Sequence, residues 1–142
     1  MSELTTSLTA EIEALRKAYA ALNQNDIPAF VELFDTDIEW IEFVEHPTGG
    51  IFQGLAAVQA HASQAREQWA EGSCEPVRFI VAGERIIVFV DVRARLKHES
   101  DWREGQLADV YTFRNGKVIQ FRCFLDRKQA LDWIGAKGSD AD

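Results

Sequence analysis

Apolar residues recur along this chain with two periods, first near 3.6 residues and later near 2. Leu8, Ile12, Leu15, Tyr19 and Leu22 follow helical spacing and predict an amphipathic first helix, with Thr6 or Thr9 placed to cap it. Asp26 is placed to cap a short second helix, with Pro28 in its first turn and Phe30, Leu33 and Phe34 facing inward. The segment from Asp37 to Glu45 alternates and is rich in β-branched and aromatic residues, so it predicts a strand. The sequence His-Pro-Thr-Gly-Gly from residue 46 reads as a loop. Leu55, Val58, Ala62, Ala65 and Trp69 form a third helical stripe between Gly54 and about Ala70. Residues 76–82 and 85–97 read as a hairpin turned at Ala82-Gly83-Glu84-Arg85. Residues 102–113 and 117–125 read as another, turned at Arg114-Asn115-Gly116-Lys117. Asp126 with Gln129 makes a capping-box pattern for a closing helix that carries Leu131 and Ile134.

Helices followed by consecutive antiparallel strands predict an α+β fold. Its sheet is curved, antiparallel or mixed, with helices on the concave face closing a conical cavity. The 142 residues fit one domain over residues 1–135, with 136–142 as a disordered tail. Composition then removes several classes of partner. There are 15 basic against 23 acidic residues, net −8, and no basic run, so neither nucleic acid nor an anionic membrane is expected as a partner. Cys74 and Cys123 lack metal-ligand spacing, and so do His46, His61 and His98, so no metal and no cofactor is expected. The first residues lack the basic-then-apolar pattern of a leader, and no apolar run approaches the ~18 residues of a membrane span. These features lead us to expect a cytoplasmic protein.

One residue stands against the pattern. Asp109 lies in an apolar strand between Leu107, Val110, Tyr111 and Phe113. A charge is costly to bury unpaired, so this carboxyl either reaches solvent or enters a pocket where its pKa shifts. The register of the last hairpin decides which. A two-residue Asn-Gly turn sets Asp109 across from Arg122. A three-residue loop with Gly116 as a left-handed bulge sets it across from Phe121, on one face with Cys123. Only the bulged register puts Leu107, Tyr111 and Phe113 on the same face as Ile119, Phe121, Cys123 and Leu125. Asp109 is therefore expected in the helix-covered cavity.

The strings LNQNDIPAFVELFDTDIEW, GLAAVQAHA and DVYTFRNGKVIQFRCFLD, together with the element order, resemble the nuclear-transport-factor-2-like superfamily. Within it the chain looks most like the SnoaL-like and ketosteroid-isomerase-like branch. The resemblance covers roughly residues 8 to 134. It implies the cystatin-like α+β barrel and a homodimer paired sheet to sheet. It also implies a small enzyme doing acid–base chemistry (isomerisation, cyclisation or dehydration) on a hydrophobic carbonyl compound. The alternative is a non-catalytic ligand-binding or protein-interaction domain, since this fold serves both.

Ketosteroid isomerases place a general-base aspartate sixteen residues after the Asp that starts the second helix, and counting from Asp26 reaches Glu42. Their protonated aspartate, in the context Asp-x-x-x-Phe, corresponds to Asp109 with Phe113. Their first-helix tyrosine falls at Ala18, with Tyr19 one position away. SnoaL-like cyclases carry His at the position of Asp109 and an Asp base at that of Cys123. Limonene-epoxide hydrolases carry Arg, Asp and Asp where this chain has Phe89, Asp91 and Cys123.

Three carboxylates are thus candidate catalysts. Glu42 shares parity with Ile38 and Trp40, so it faces the cavity if they do; otherwise it ends a strand in water beside Glu39 and Glu45. It could shuttle a proton between two carbons while a neutral Asp109 donates to the enolate oxygen, as in ketosteroid isomerases. Asp91 lies opposite the apolar set Ile86, Val88, Val90, Val92, Ala94 and Leu96. Either that set faces the core and leaves Asp91 outside beside Arg93, or it packs a dimer partner and leaves Asp91 in the cavity. Trp40, Trp69, Tyr111, Phe113 and Phe121 could line a flat apolar site for a ring-shaped ligand, with Tyr19 and Cys123 beside them. Core packing accounts for the same residues.

Overall fold

The computed structural model describes residues 2–42 and 50–135, with side chains from residue 9 onward. Helix α1 (Ser2–Asn23) leads to a short α2 (Ile27–Phe30), whose N-cap Asp26 accepts from the Ala29 N–H. A single 3₁₀ turn, Val31–Leu33, then enters strand β1 (Phe34–Ile41). The short strand β2 (Ile51–Gln53) and helix α3 (Leu55–Glu67) follow. Strands β3 (Trp69–Ala82), β4 (Arg85–Leu96), β5 (Arg103–Arg114) and β6 (Lys117–Phe124) run consecutively into helix α4 (Arg127–Ile134). The order across the sheet is β2-β1-β6-β5-β4-β3. Only the β1–β6 pairing is parallel, so the sheet is mixed, as the α+β reading allows.

Three helices cover the concave face. Leu15, Ala18 and Tyr19 of α1, Ile27 and Phe30 of α2, and Val58 and Ala62 of α3 pack on Ile86, Val88, Val90, Phe113, Val118 and Phe121. Helix α4 is on the other side: Ala130, Leu131 and Ile134 pack against Ile80, Ile87, Phe89, Ala108 and Val110. Arginines hold it there. Arg85 and Arg122 both lie over the Trp133 ring, at 4.7 and 4.6 Å from its centroid. Among the described residues no helix is long and apolar enough to cross a membrane.

The structure departs from the sequence reading in three places. First, α3 ends at Glu67, and Trp69 opens β3 instead of closing the helix. The polar segment Ala70–Glu75 pairs with the far half of β4, which alternation alone did not reveal. Pro76 lies within β3 because that strand is at the edge of the sheet and its register shifts between Pro76 and Arg78. Second, β2 is three residues long, too short for a periodic signal. Third, the bulge of the last hairpin is not in its turn. Asn115 and Gly116 both have positive φ, 54° and 79°, and form a two-residue turn that pairs Arg114 with Lys117. The extra residue enters afterwards, at Ile119, between the pairs Phe113–Val118 and Thr112–Gln120. Tyr111 consequently faces Phe121, and Asp109 faces Cys123. The parity inferred for Asp109 is the one observed, but Val118 replaces Ile119 in the buried set and Leu125 is exposed.

Two features fix the helices over the sheet. The Asn23 amide clamps β3: the Cys74 N–H donates to Asn23 Oδ1 at 2.7 Å, and Asn23 Nδ2 donates to the Cys74 carbonyl at 3.0 Å. Gly72 lets the Trp69 ring fold back over β3. A Cβ there would stand 2.6 Å from Trp69 Cε3 and 2.8 Å from the Arg93 carbonyl oxygen. The carbonyl belongs to a paired strand and cannot swing aside. Gly72→Ala is therefore expected to destabilise the protein by about 1–3 kcal/mol in urea unfolding. An unchanged midpoint would show that β3 yields at this position.

Candidate active site

Asp109 stands mid-sheet between Val88 and Cys123, and is 7% exposed. Period-2 alternation turns it to the concave face with Tyr111, two residues along. Tyr19 comes down on it from α1. The Tyr19 hydroxyl donates to Asp109 Oδ2 at 2.6 Å, and the Tyr111 hydroxyl donates to that of Tyr19 at 2.8 Å. Tyr19 thus reaches the carboxyl although it is one position from where the isomerase resemblance places a tyrosine. Burial pushes the Asp109 carboxyl up to about 6; the Tyr19 and Cys123 hydrogen bonds oppose this, and the nearby Glu42 charge adds to it. Burial, then the Asp109 charge, holds both tyrosine hydroxyls well above their ordinary range, so they remain donors.

Glu42 follows the last residue of β1. Its Oε1 accepts from Trp40 Nε1 at 2.9 Å and pairs with His61 Nε2 of α3. The His61 and Glu42 side chains are 6% and 7% exposed, so this is a buried dyad. Flat contacts lock both partners. The His61 ring stacks on Phe52 at 4.0 Å, and the Trp40 ring stacks on Phe121 at 3.9 Å. Sequence reasoning gave His61 no role. The signal was the one used for Asp109, a polar residue on an apolar stripe, here among Val58, Ala62 and Ala65.

Asp109 and Glu42 border one cavity of about 210 Å³, whose wall is otherwise largely apolar. Tyr19, Trp40, Trp69, Tyr111, Phe121 and Cys123 line it. Phe113 does not: it pairs with Val118 nearer the hairpin turn and is buried in the core. Asp91 stands apart. Ile86, Val88 and Val90 take the core side of β4, so period 2 sends Asp91 to the opposite face, correcting its inclusion among the cavity residues. Its side chain there is 50% exposed and 3.6 Å from Arg127 of α4. Arg66 and Cys74 also line the cavity without having been foreseen. Burial, then the Asp109 charge, pushes the Cys74 thiol up to about 12 against the pull of Arg66, and burial also raises the Cys123 thiol, so neither is a ready thiolate. Among the described residues no group of three or more His, Cys, Asp or Glu is placed to hold a metal ion. Val44, Glu45 and His46 lie outside the described residues.

The SnoaL-like domain model matches residues 15–121, and the chain belongs to that family. Its fold is that of the NTF2-like proteins. Bal32a, from a soil-derived mobile gene cassette, is 22% identical with a TM-score of 0.76, over 90% of this chain and 98% of its own. An NTF2-like protein of unknown function from Burkholderia pseudomallei is 24% identical with a TM-score of 0.74, over 89% and 98%. A putative polyketide cyclase from Sinorhizobium meliloti is 20% identical with a TM-score of 0.65, over 78% and 93%. A search of curated proteins gives no match.

The Asp109 carboxyl binds its proton more tightly in the folded chain than in the unfolded one, where its ordinary value is 3.8. Its stabilising contribution is therefore complete below about pH 4 and is lost as pH rises through about 6. Against Asp109→Asn, which does not titrate, the wild type's relative stability should fall by about 3 kcal/mol between those limits. Urea unfolding at a series of pH values measures this. Parallel curves for the two proteins would mean that Asp109 titrates normally.

Proposed function

We propose that this protein is an enzyme that transfers protons on a hydrophobic carbonyl compound held in the cavity. The observation that carries the reading is that two carboxyl groups, one just past the end of β1 and one within β5, meet one apolar cavity in different surroundings. Glu42 is tied to Trp40 and His61. Asp109 is tied to two buried tyrosines and is pushed toward its protonated form. Glu42 takes the proton from the carbon beside the carbonyl, with Trp40 and His61 holding its carboxylate in place. The protonated Asp109, backed by Tyr19 and Tyr111, donates to the oxygen on which the enolate charge develops. Returning the proton to another carbon gives isomerisation, attack by the enolate carbon gives cyclisation, and loss of a β-hydroxyl gives dehydration. The Sinorhizobium neighbour named as a putative polyketide cyclase is in keeping with this range.

A second reading, a non-catalytic binding module, is favoured by one observation. The hydroxyls of Tyr19 and Tyr111 already bond inward, toward Asp109. Thermal-shift screening of ketones and enones supplies candidates for both readings. On a turned-over ketone, Glu42→Gln should lower kcat by about 10²- to 10⁴-fold. Asp109→Asn keeps a donor, so it should lose less. It should also abolish the fall in activity that the wild type shows as pH rises through about 6. Unchanged turnover in both variants would overturn the enzyme reading; a stabilising ligand that is never turned over would favour the binding module.

A further inference from the structure

Among the described residues lining the cavity, Arg66 alone carries a guanidinium or ammonium group. Its Nε is buried without a hydrogen-bond partner, and its guanidinium lies 5.0 Å from the centroid of the Trp69 ring. Among the described residues no carboxylate pairs with it; the Nε atoms of Arg122 and Arg127 are likewise without a partner, but neither residue lines the cavity. A cation bordering an apolar space with an unsatisfied buried donor leaves a strong hydrogen bond unmade. The chain carries a net charge of −8, and the same cavity holds Glu42 and Asp109. Nothing in its general electrostatics favours an anion there; only Arg66 does.

The position of Arg66 sets a length. His61, Ala62, Ala65 and Arg66 form the stripe that α3 turns to the cavity. His61 and Arg66 are five residues apart, about 7.5 Å along the helix axis. Two alanines lie between them, so the wall there is recessed and smooth. The cavity of about 210 Å³ exceeds the ~150 Å³ that admits a single benzene ring. A flat compound of one or two rings spans the interval between the two polar ends.

We propose that the ligand of this cavity is a small unsaturated ring compound bearing a carboxylate, and that Arg66 pairs with that carboxylate while the ring lies along Ala62 and Ala65 beside Trp69. This leaves the reacting carbonyl of the preceding reading, on which the placement rests, with Glu42 and Asp109; the anion site itself stands on Arg66 alone. Calorimetric titration of the full chain with 2-naphthoate and with the neutral 2-naphthamide tests it. The wild type should bind the naphthoate about 10- to 100-fold more tightly than the amide. Arg66→Gln should bring the two affinities together without weakening the amide, which also reports that the variant is folded. Arg66→Lys keeps the charge and should retain part of the preference. Equal affinities in the wild type, no binding of either probe, or a preference that survives Arg66→Gln would each overturn the proposal. The two readings fail separately. Loss of turnover in Glu42→Gln without a naphthoate preference leaves proton transfer standing and removes the anion site. A preference with turnover indifferent to Glu42→Gln does the reverse.

Discussion

A carboxyl group on the apolar face of a central strand must find hydrogen-bond donors or leave the core. Asp109 finds one on Tyr19, 90 residues away in the sequence, through a buried 2.6 Å bond. That bond fixes where the first helix lies on the sheet and how it is turned about its own axis. Tyr111 then completes a chain of hydroxyls that no water needs to enter. One helical turn further on, Asn23 fastens the same helix to β3. The cavity is the space left when α1 is held at two points and α3 is held at His61. Its walls are aromatic because the stripe opposite Asp109 had to fill volume as well as close it.

His61, with its partner Glu42, and Arg66 stand at separate ends of α3's inward stripe. Glu42 and Asp109 stand near enough for the charge of one to raise the other. Cys74 feels both Asp109 and Arg66: burial and the Asp109 charge raise its thiol, and Arg66 lowers it. A ligand that filled such a space would meet the His61–Glu42 dyad near one end of that stripe and the Arg66 cation near the other, with Asp109 in the sheet facing it. This polarity comes from three elements, β1, β5 and α3, none of which carries a recognisable motif alone.

The fold was legible in the sequence wherever periodicity was long and uninterrupted: α1, the β4–β5 core and the closing helix. It failed where tertiary contact overrode the local pattern. Trp69 reads as the last residue of a helical stripe, yet it opens a strand because Ala70–Glu75 has β4 to pair with. The bulge was correctly required by the parity of Asp109 and Phe121, but parity cannot say where an extra residue enters, and the Asn-Gly turn took its two-residue form while Ile119 absorbed the shift. Of the three carboxylates singled out in the sequence, Asp109, which broke a pattern, and Glu42, which continued one, border the cavity, and Asp91 does not. His61 and Arg66 were hidden for a simpler reason. On a surface helix a polar residue is unremarkable until the structure shows that it faces inward.

The Asn23 clamp has a consequence beyond the cavity. β3 is an edge strand, and the Cys74 N–H and carbonyl that Asn23 binds point away from β4, toward the side where another chain could add. A single side-chain amide occupies that place as a strand one residue long would. Two residues on, Pro76 has no N–H to offer, and the register breaks on either side of the clamp. At the far edge β2 is only three residues long. The edge of β3 is therefore interrupted at Cys74 and Pro76, and the device that seats the first helix also blocks a further strand from pairing at that point.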